Sequence, residues 1–369
     1  MIAAAGHDAV AIAREFALSG EILSASPYGS GHINDTYKVD VKPAGGPRRY
    51  VLQRINHNVF GRPDELMANV ERVCAHAYAK LKQAGVPDAE RRTLRLLPTL
   101  TGKAWHIDAA GNRWRCYHFI EGATGHDIVR SPEQAYAAAK SFGAFQSLLA
   151  DLPGGRLLET IPDFHHTPAR FARFQQALAQ DAHGRAAASV PEIAFALARA
   201  HEVNVVVDAL REGTLPERVT HNDTKLNNVL LDDVTQDGVC VIDLDTVMPG
   251  SALYDFGDLV RTSTSPAAED ETDLSKVQMQ FPMFAALVKG YLESANGFLT
   301  PKEKELLPFA GKLITFEIGL RFLTDWLEGD IYFKTKSPTH NLDRTRTQFK
   351  LVESIEDQLP AMQALIAQA

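Results

Sequence analysis

Cysteine is scarce in this chain: three among 369 residues, Cys74, Cys116 and Cys240. They stand far apart in apolar surroundings, with none of the spacings of a metal-binding pair. That excludes a disulfide framework and a thiolate metal site, and leaves buried thiols in a reducing cytosol as the simplest reading. Long basic runs are absent too. Lys and Arg number 38 against 46 Asp and Glu, for a formal net charge of −8. Affinity for nucleic acid rests on clustered Lys and Arg, so no nucleic-acid partner is expected. No apolar run is long enough to span a bilayer. Residues 1–18 are rich in alanine, but Asp8, Arg14 and Glu15 interrupt them and no basic segment precedes them. They do not read as a signal peptide; a cytoplasmic location with no membrane partner is expected. Internal repeats and low-complexity segments are also missing. Hydrophobic residues, at 45% of the chain, suffice for a real core, and the length allows two or three domains.

The most informative stretch is residues 219–245. It holds His221, Asp223 and Asn228 in a His-x-Asp-x-x-x-x-Asn arrangement, and twenty residues past Asp223 the apolar run Val239-Cys240-Val241-Ile242 ends in Asp243. Phosphoryl transfer from a magnesium-bound nucleotide needs such a set. One carboxylate orients the attacking hydroxyl; an amide oxygen and a second carboxylate hold the metal. The loop pattern is that of the kinase catalytic loop. Residues 226–231 read as loop into strand, residues 232–238 are rich in turn formers, and residues 239–242 read as the returning strand. Such a hairpin brings Asp243 back beside Asn228. Asp245, two residues on, faces the same side if the strand continues, and is a second metal or substrate candidate. Lys225 is placed to neutralise the moving phosphoryl group. For His221 a bracing role fits better than a chemical one.

Asp255-Phe256-Gly257 spells the metal-binding tripeptide of protein kinases. It follows Pro249-Gly250 and not an apolar strand. Asp255 therefore reads as a helix N-cap, accepting from free backbone N–H groups, and Asp243 as the metal ligand.

The loop and returning strand resemble the aminoglycoside phosphotransferase and choline kinase superfamily. Within it, His221-Asn222-Asp223-Thr224-Lys225 through Asp243-Leu244-Asp245-Thr246, with Met248-Pro249-Gly250 and Tyr254-Asp255-Phe256-Gly257-Asp258, looks most like the N-acetylhexosamine 1-kinases. The likeness runs from about Tyr28 to the C-terminal helices. It implies a two-lobe, protein-kinase-like α+β fold: a small β-rich nucleotide-binding lobe over residues 1–120, and a larger, mainly helical catalytic and acceptor-binding lobe over residues 121–369. It implies ATP and Mg2+ as cofactors, and as acceptor the anomeric hydroxyl of N-acetylglucosamine or N-acetylgalactosamine. That acceptor comes from the likeness alone. A homoserine, choline or aminoglycoside kinase would share the nucleotide residues, and a missing strand lysine leaves open a non-catalytic nucleotide-binding module.

Along the chain, residues 7–19 read as a short amphipathic helix and residues 22–28 as a first strand. The turn Gly29-Ser30-Gly31-His32-Ile33-Asn34-Asp35-Thr36 follows, then a strand in which Tyr37, Val39 and Val41 alternate with charged residues. Gly29 and Gly31 leave backbone free to approach phosphates, so the turn, with Ser30 and His32, reads as a nucleotide cover. Asn34 offers either a phosphate or substrate contact or a local turn hydrogen bond. Residues 50–55 form the next strand. Where protein kinases carry a phosphate-pairing lysine, this one has Val51-Leu52-Gln53-Arg54. Gln53 and Arg54 point to opposite faces and the sequence does not say which faces the cleft. Arg54 is chosen because a bidentate cation suits phosphate. Residues 63–85 read as a helix offering Glu65 or Glu71 to the strand cation. Strands at 104–107 and 114–120 lead into a hinge resembling that between kinase lobes, where backbone around Phe119 to Glu121 would bind adenine.

From Ser131 the pattern turns helical, with helices at 136–149, 169–179, 191–210, 277–292, 301–326 and 342–368 and an exposed acidic stretch at 267–276. His165-His166 brings a metal to mind, but adjacent residues rarely share one ion and no third ligand has fitting spacing. The acceptor pocket is expected between the catalytic loop and the C-terminal helices. There Arg321, Asp325 and Trp326 combine hydrogen-bonding groups with an aromatic platform suited to a sugar; the first two, four apart, can also simply pair across one helical turn.

Overall fold

The computed structural model describes residues 7–29, 33–42 and 46–368. Its N-terminal part is built on strand alternation. A short helix α1 (Ala9–Ala13), capped by the Asp8 carboxylate, precedes strands β1 (Glu21–Pro27), β2 (Asp35–Lys42) and β3 (Arg48–Ile55). Helix α2 (Pro63–Gln83) follows, then β4 (His106–Ile107) and β5 (Arg113–His118). The five strands form one antiparallel sheet in the order β1-β2-β3-β5-β4. Tyr37, Val39, Val41, Tyr50, Leu52, Trp114 and Cys116 share its outer face with Ala9, Ala13 and Phe16. The inner face meets α2, where Leu66, Val70, Val73 and Ala77 lie at helical spacing and are buried. Each such side chain contributes about 1.5–3 kcal/mol of burial free energy. Helix α1 stops well short of the expected residue 19, because the Ala17 N–H leaves the helix to bond Pro98 O, and Phe16 bridges Thr99.

The larger part is mostly helical. It opens with β6 (Ala123–Gly125) and α3 (Pro132–Leu149), and continues with α4 (Thr167–Gln180), α5 (Val190–Ala198) and α6 (Val205–Arg211). The single helix expected over 191–210 is thus broken in two. The break is a 3-10 turn at residues 200–202; Arg199, just before it, pairs with Glu356, and Glu202, at its end, with Lys312. Short strands β7 (Arg218–Thr220), β8 (Val229–Asp232), β9 (Gly238–Val241) and β10 (Met248–Gly250) carry the central stretch. Helices α7 (Ala252–Ser263), α8 (Phe281–Ala295), α9 (Pro301–Leu327) and α10 (His340–Gln368) complete it. Helix α9 starts at a full capping box, Thr300 with Glu303. Helix α8 starts at Phe281, because Pro282 lacks the N–H that an earlier start would require.

Several glycines set helix contacts, Gly257 and Gly143 among them. A Cβ on Gly257 of α7 would stand 2.5 Å from Ala310 O of α9, and one on Gly143 of α3 would stand 2.8 Å from Tyr291 O of α8. Backbone meets backbone at both points, so the platform under the catalytic loop is rigid. The two-lobe α+β architecture read from the sequence is the one observed. Among the described residues, no helix is long and apolar enough to cross a membrane.

Candidate active site

The site grows from the β8–β9 hairpin. Val229 pairs with Val241 and Leu230 with Cys240, and the Ile242 N–H donates to Asn228 O at 2.9 Å. The hairpin therefore returns the chain to Asn228 one residue before Asp243. There the strand ends: Asp243 has φ 60° and ψ 62°, and residues 244–246 form a single 3-10 turn. A left-handed conformation costs a non-glycine residue roughly 1–2 kcal/mol. It turns the Asp243 carboxylate into the cleft, where no donor among the described residues reaches it. Desolvation by the surrounding protein, then the carboxylates of Asp245 and Asp223, push its pKa up to about 6, although the residue keeps solvent access. A divalent cation would relieve that repulsion.

Asp223 and Asn228 are joined directly. Asn228 Nδ2 donates to Asp223 O at 2.9 Å and to its Oδ2 at 3.0 Å, and Lys225 Nζ lies 2.9 Å from the same Oδ2. With its nitrogen so committed, the Asn228 amide presents its oxygen as the atom for a metal. Burial works to raise the pKa of Asp223, but Lys225 and Asn228 outweigh it and hold the group below its ordinary value. The carboxylate stays ionised, as a hydroxyl-orienting group requires. Burial lowers Lys225, and Asp223 more than restores it, so the ammonium is kept. Asn228 and Asp243 fit magnesium, which takes one or two protein oxygens and completes its shell with phosphates and water. Among the described residues no three His, Cys, Asp or Glu form a metal cage.

The loop is braced from beneath. His221 is buried, its Nε2 2.9 Å from Ile242 O, and Phe142 and Phe145 pack edge-on to its ring. Asp255 is not the helix cap expected of it. Ser251 caps α7, and Asp255 stands one turn inside, fully buried. Its carboxylate accepts from His221 N at 2.9 Å, Asn222 N at 2.7 Å and Gln146 Nε2 at 2.5 Å. Both backbone N–H groups face it because Asn222 adopts φ 64°, a state Asn tolerates better than most residues. The adjacent histidines also divide: His166 caps α4 through Ala169 N, while His165 lies between Glu317 Oε1 at 2.8 Å and Asn222 O at 3.1 Å. Burial lowers His165, but Glu317 wins and raises its pKa.

Three further expectations are corrected. Arg54 shares the outer face of the sheet with Tyr50 and Leu52, where it pairs with Asp35 at 2.6 Å, away from the cleft. Gln53 faces the cleft, and so does Arg115 of β5, directly opposite it in register. Arg115 Nη1 lies 2.5 Å from Asp245 Oδ1, with both side chains 1–2% exposed. Asp245 is therefore not a free metal ligand: its other oxygen accepts from Asn34 Nδ2 at 2.6 Å. Glu65 pairs with Arg62 and Glu71 is exposed, so neither serves a strand cation. Arg115 was overlooked at the sequence level, although a lone arginine inside the apolar run Trp114-Arg115-Cys116-Tyr117 was the available signal.

Gly29 adopts φ 84°, which suits glycine; Ser30, Gly31 and His32 lie outside the described residues. In the hinge, the Glu121 carboxylate is paired with Arg49, whose guanidinium also lies 4.2 Å from the Phe119 ring. Phe119 N donates to Arg49 O and Glu121 O accepts from Arg91, which narrows the backbone left for a base. On α9, Asp325 does not pair with Arg321. It accepts from Tyr332 N, Phe333 N and Asn341 Nδ2, and so folds the 328–333 turn over Arg321, which is ringed by Phe164, Tyr332 and Phe333. Trp326 is buried with Arg185 across its ring. Trp326 backs this wall, while Arg321 and Asp325 line a small pocket to which no residue of the catalytic loop contributes, so the structure does not bring them to Asp223. A larger cavity of about 340 Å³ adjoins Asp223 and Lys225, lined also by Arg261, Thr262, Thr347 and Gln348.

Residues 24–287 match the phosphotransferase enzyme family. The chain belongs to that family. Its fold is similar to that of an aminoglycoside phosphotransferase from Alicyclobacillus acidocaldarius, at 15% identity and a TM-score of 0.62, over 99% of this chain and 98% of that one. It is similar to choline kinase from Cryptosporidium parvum, at 13% identity and 0.52, over 96% of each. It is also similar to spectinomycin phosphotransferase in complex with ADP and spectinomycin, at 12% identity and 0.51, over 91% and 92%. At such identities the likeness establishes the kinase-like fold, and the family match establishes a phosphotransferase.

Proposed function

We propose that this phosphotransferase uses ATP to phosphorylate the anomeric hydroxyl of an N-acetylhexosamine. The observation that carries the kinase reading is the hairpin that sets Asp223, Asn228 and Asp243 around one point of the cleft. Asp223 positions the acceptor hydroxyl and takes its proton late, because little nucleophile charge develops early in phosphoryl transfer. Lys225 neutralises charge on the moving group. Asn228 and Asp243 would hold the magnesium, which supplies charge neutralisation between the phosphates. Asp243→Ala is expected to remove the magnesium dependence of nucleotide binding, read by calorimetric titration of ADP with and without Mg2+. An unchanged metal response would move the ligand elsewhere.

The acceptor class rests on the likeness of residues 221–258 to the N-acetylhexosamine 1-kinases. Thr262, Thr347 and Gln348 give the cavity beside Asp223 neutral hydrogen-bonding groups. The cavity lies at the small end of the roughly 300–1,000 Å³ usual for ligand pockets. An acetamide brings a carbonyl, an N–H and a methyl group, and a site built to bond them discriminates against a plain hexose. Phosphorus NMR of the product decides: an anomeric phosphate couples to the anomeric proton, a 6-phosphate to a methylene pair. A 6-phosphate, or phosphorylation of an amino alcohol alone, would remove the sugar assignment and leave the kinase standing.

A further inference from the structure

We propose that Arg115 is the positioning cation of this cleft: it fixes Asp245, and Asp245 in turn fixes Asn34, so that the entry to β2 is held to the metal-binding turn and nucleotide binding depends on the link. The proposal rests on the reading of the cleft as a nucleotide site and is independent of the acceptor.

Arg115 is a hub with arms in both lobes. Its Nε donates to Gln53 Oε1 at 3.0 Å, and Gln53 Nε2 donates to Thr36 Oγ1 at 3.0 Å, so one arm runs across β5, β3 and β2. Its Nη1 bonds Asp245, two residues past Asp243, and Met67 Sδ of α2 sits 4.0 Å from the same nitrogen. Asp245 completes the second arm by accepting from Asn34, whose own Oδ1 accepts from Asn56 N at 3.0 Å. Asn56 Nδ2 then donates to Ile33 O at 3.1 Å. Ile33 and Asn34 are thus held to the end of β3 on one side and to the turn bearing Asp243 on the other.

The buried cation of the cleft is an arginine of β5 and not a lysine of β3. A lysine on β3 would meet phosphate as a point charge. Arg115 instead has a planar fork, which divides between two acceptors at fixed angles. Burial works against its charge, and the Asp245 carboxylate overrides that. A charge pair so enclosed tolerates no loss of either partner, which makes it a rigid spacer. Its geometry is transmitted to Asp243 through two peptide units, and to the entry of β2 through Asn34.

The decisive variant is Asn34→Ala, since Asn34 is only half-buried and its loss opens no core. Calorimetric titration of Mg·ADP is the readout, because it needs no acceptor and stands even if the sugar assignment fails. Asn34→Ala is expected to weaken Mg·ADP binding about tenfold in protein that remains folded, with a lower melting temperature from the Asp245 oxygen left unpaired. Arg115→Lys, which keeps the charge and loses the fork, is expected to weaken it in the same direction while remaining folded. A structural pair alone would shift melting temperature and leave the affinity of the folded protein as it was. Wild-type Mg·ADP affinity in folded Asn34→Ala would overturn the proposal, as would wild-type affinity in folded Arg115→Lys. No Mg·ADP binding in the wild-type protein would overturn the nucleotide reading beneath it.

Discussion

Asp223→Asn is expected to leave a folded protein that binds Mg·ADP and transfers almost no phosphate, with kcat lowered roughly 10²- to 10⁴-fold. The substitution keeps the size of the side chain. It replaces an acceptor-only group, to which Lys225 and Asn228 both donate, with an amide that cannot take a proton from the acceptor hydroxyl. In the reading proposed above, other groups serve the nucleotide: Asn228 and Asp243 the metal, and the hinge the base. The two measurements are therefore expected to separate, with single-turnover transfer lost and calorimetric ADP binding kept. Loss of both together would place Asp223 on the nucleotide and not on the acceptor.

Asp255→Ala is expected to do the greatest damage to stability. Its carboxylate serves three buried donors, the N–H groups of His221 and Asn222 and the amide of Gln146. Each buried donor left unpaired costs about 1–3 kcal/mol, so the loss is expected to exceed about 3 kcal/mol in chemical denaturation. Had Asp255 been a surface helix cap, the cost would be about 1 kcal/mol. Asp255→Asn, which keeps one acceptor oxygen, is expected to fall between. Activity goes with stability, because the left-handed Asn222 is held by this carboxylate immediately before Asp223. A stable Asp255→Ala protein that has lost its metal response would instead make Asp255 the metal ligand.

Sequence alone determined the parts that are close in the chain. Asp223, Asn228 and Asp243 are linked by one hairpin whose strands and turn formers are local signals. Helix starts such as Ser131-Pro132 and Thr300-Pro301 are written in the residues that cap them, and the sheet follows from apolar alternation. Tertiary structure alone decided what joins distant segments. Arg115 meets Asp245 across 130 residues, His165 meets Glu317 across 152, and Asn34 meets Asp245 across 211. Alternation puts Gln53 and Arg54 on opposite faces, but both faces of the sheet are covered, one by α1 and one by α2, so the pattern could not say which looked into the cleft. Asp255 shows the same limit. A carboxylate in the first turn of a helix satisfies local rules wherever it points, and only the packing of α7 beneath the catalytic loop aims it at His221 and Asn222. Periodicity and capping act over a few residues, whereas the partner of a buried charge is chosen by whichever segment folding brings within 3 Å of it.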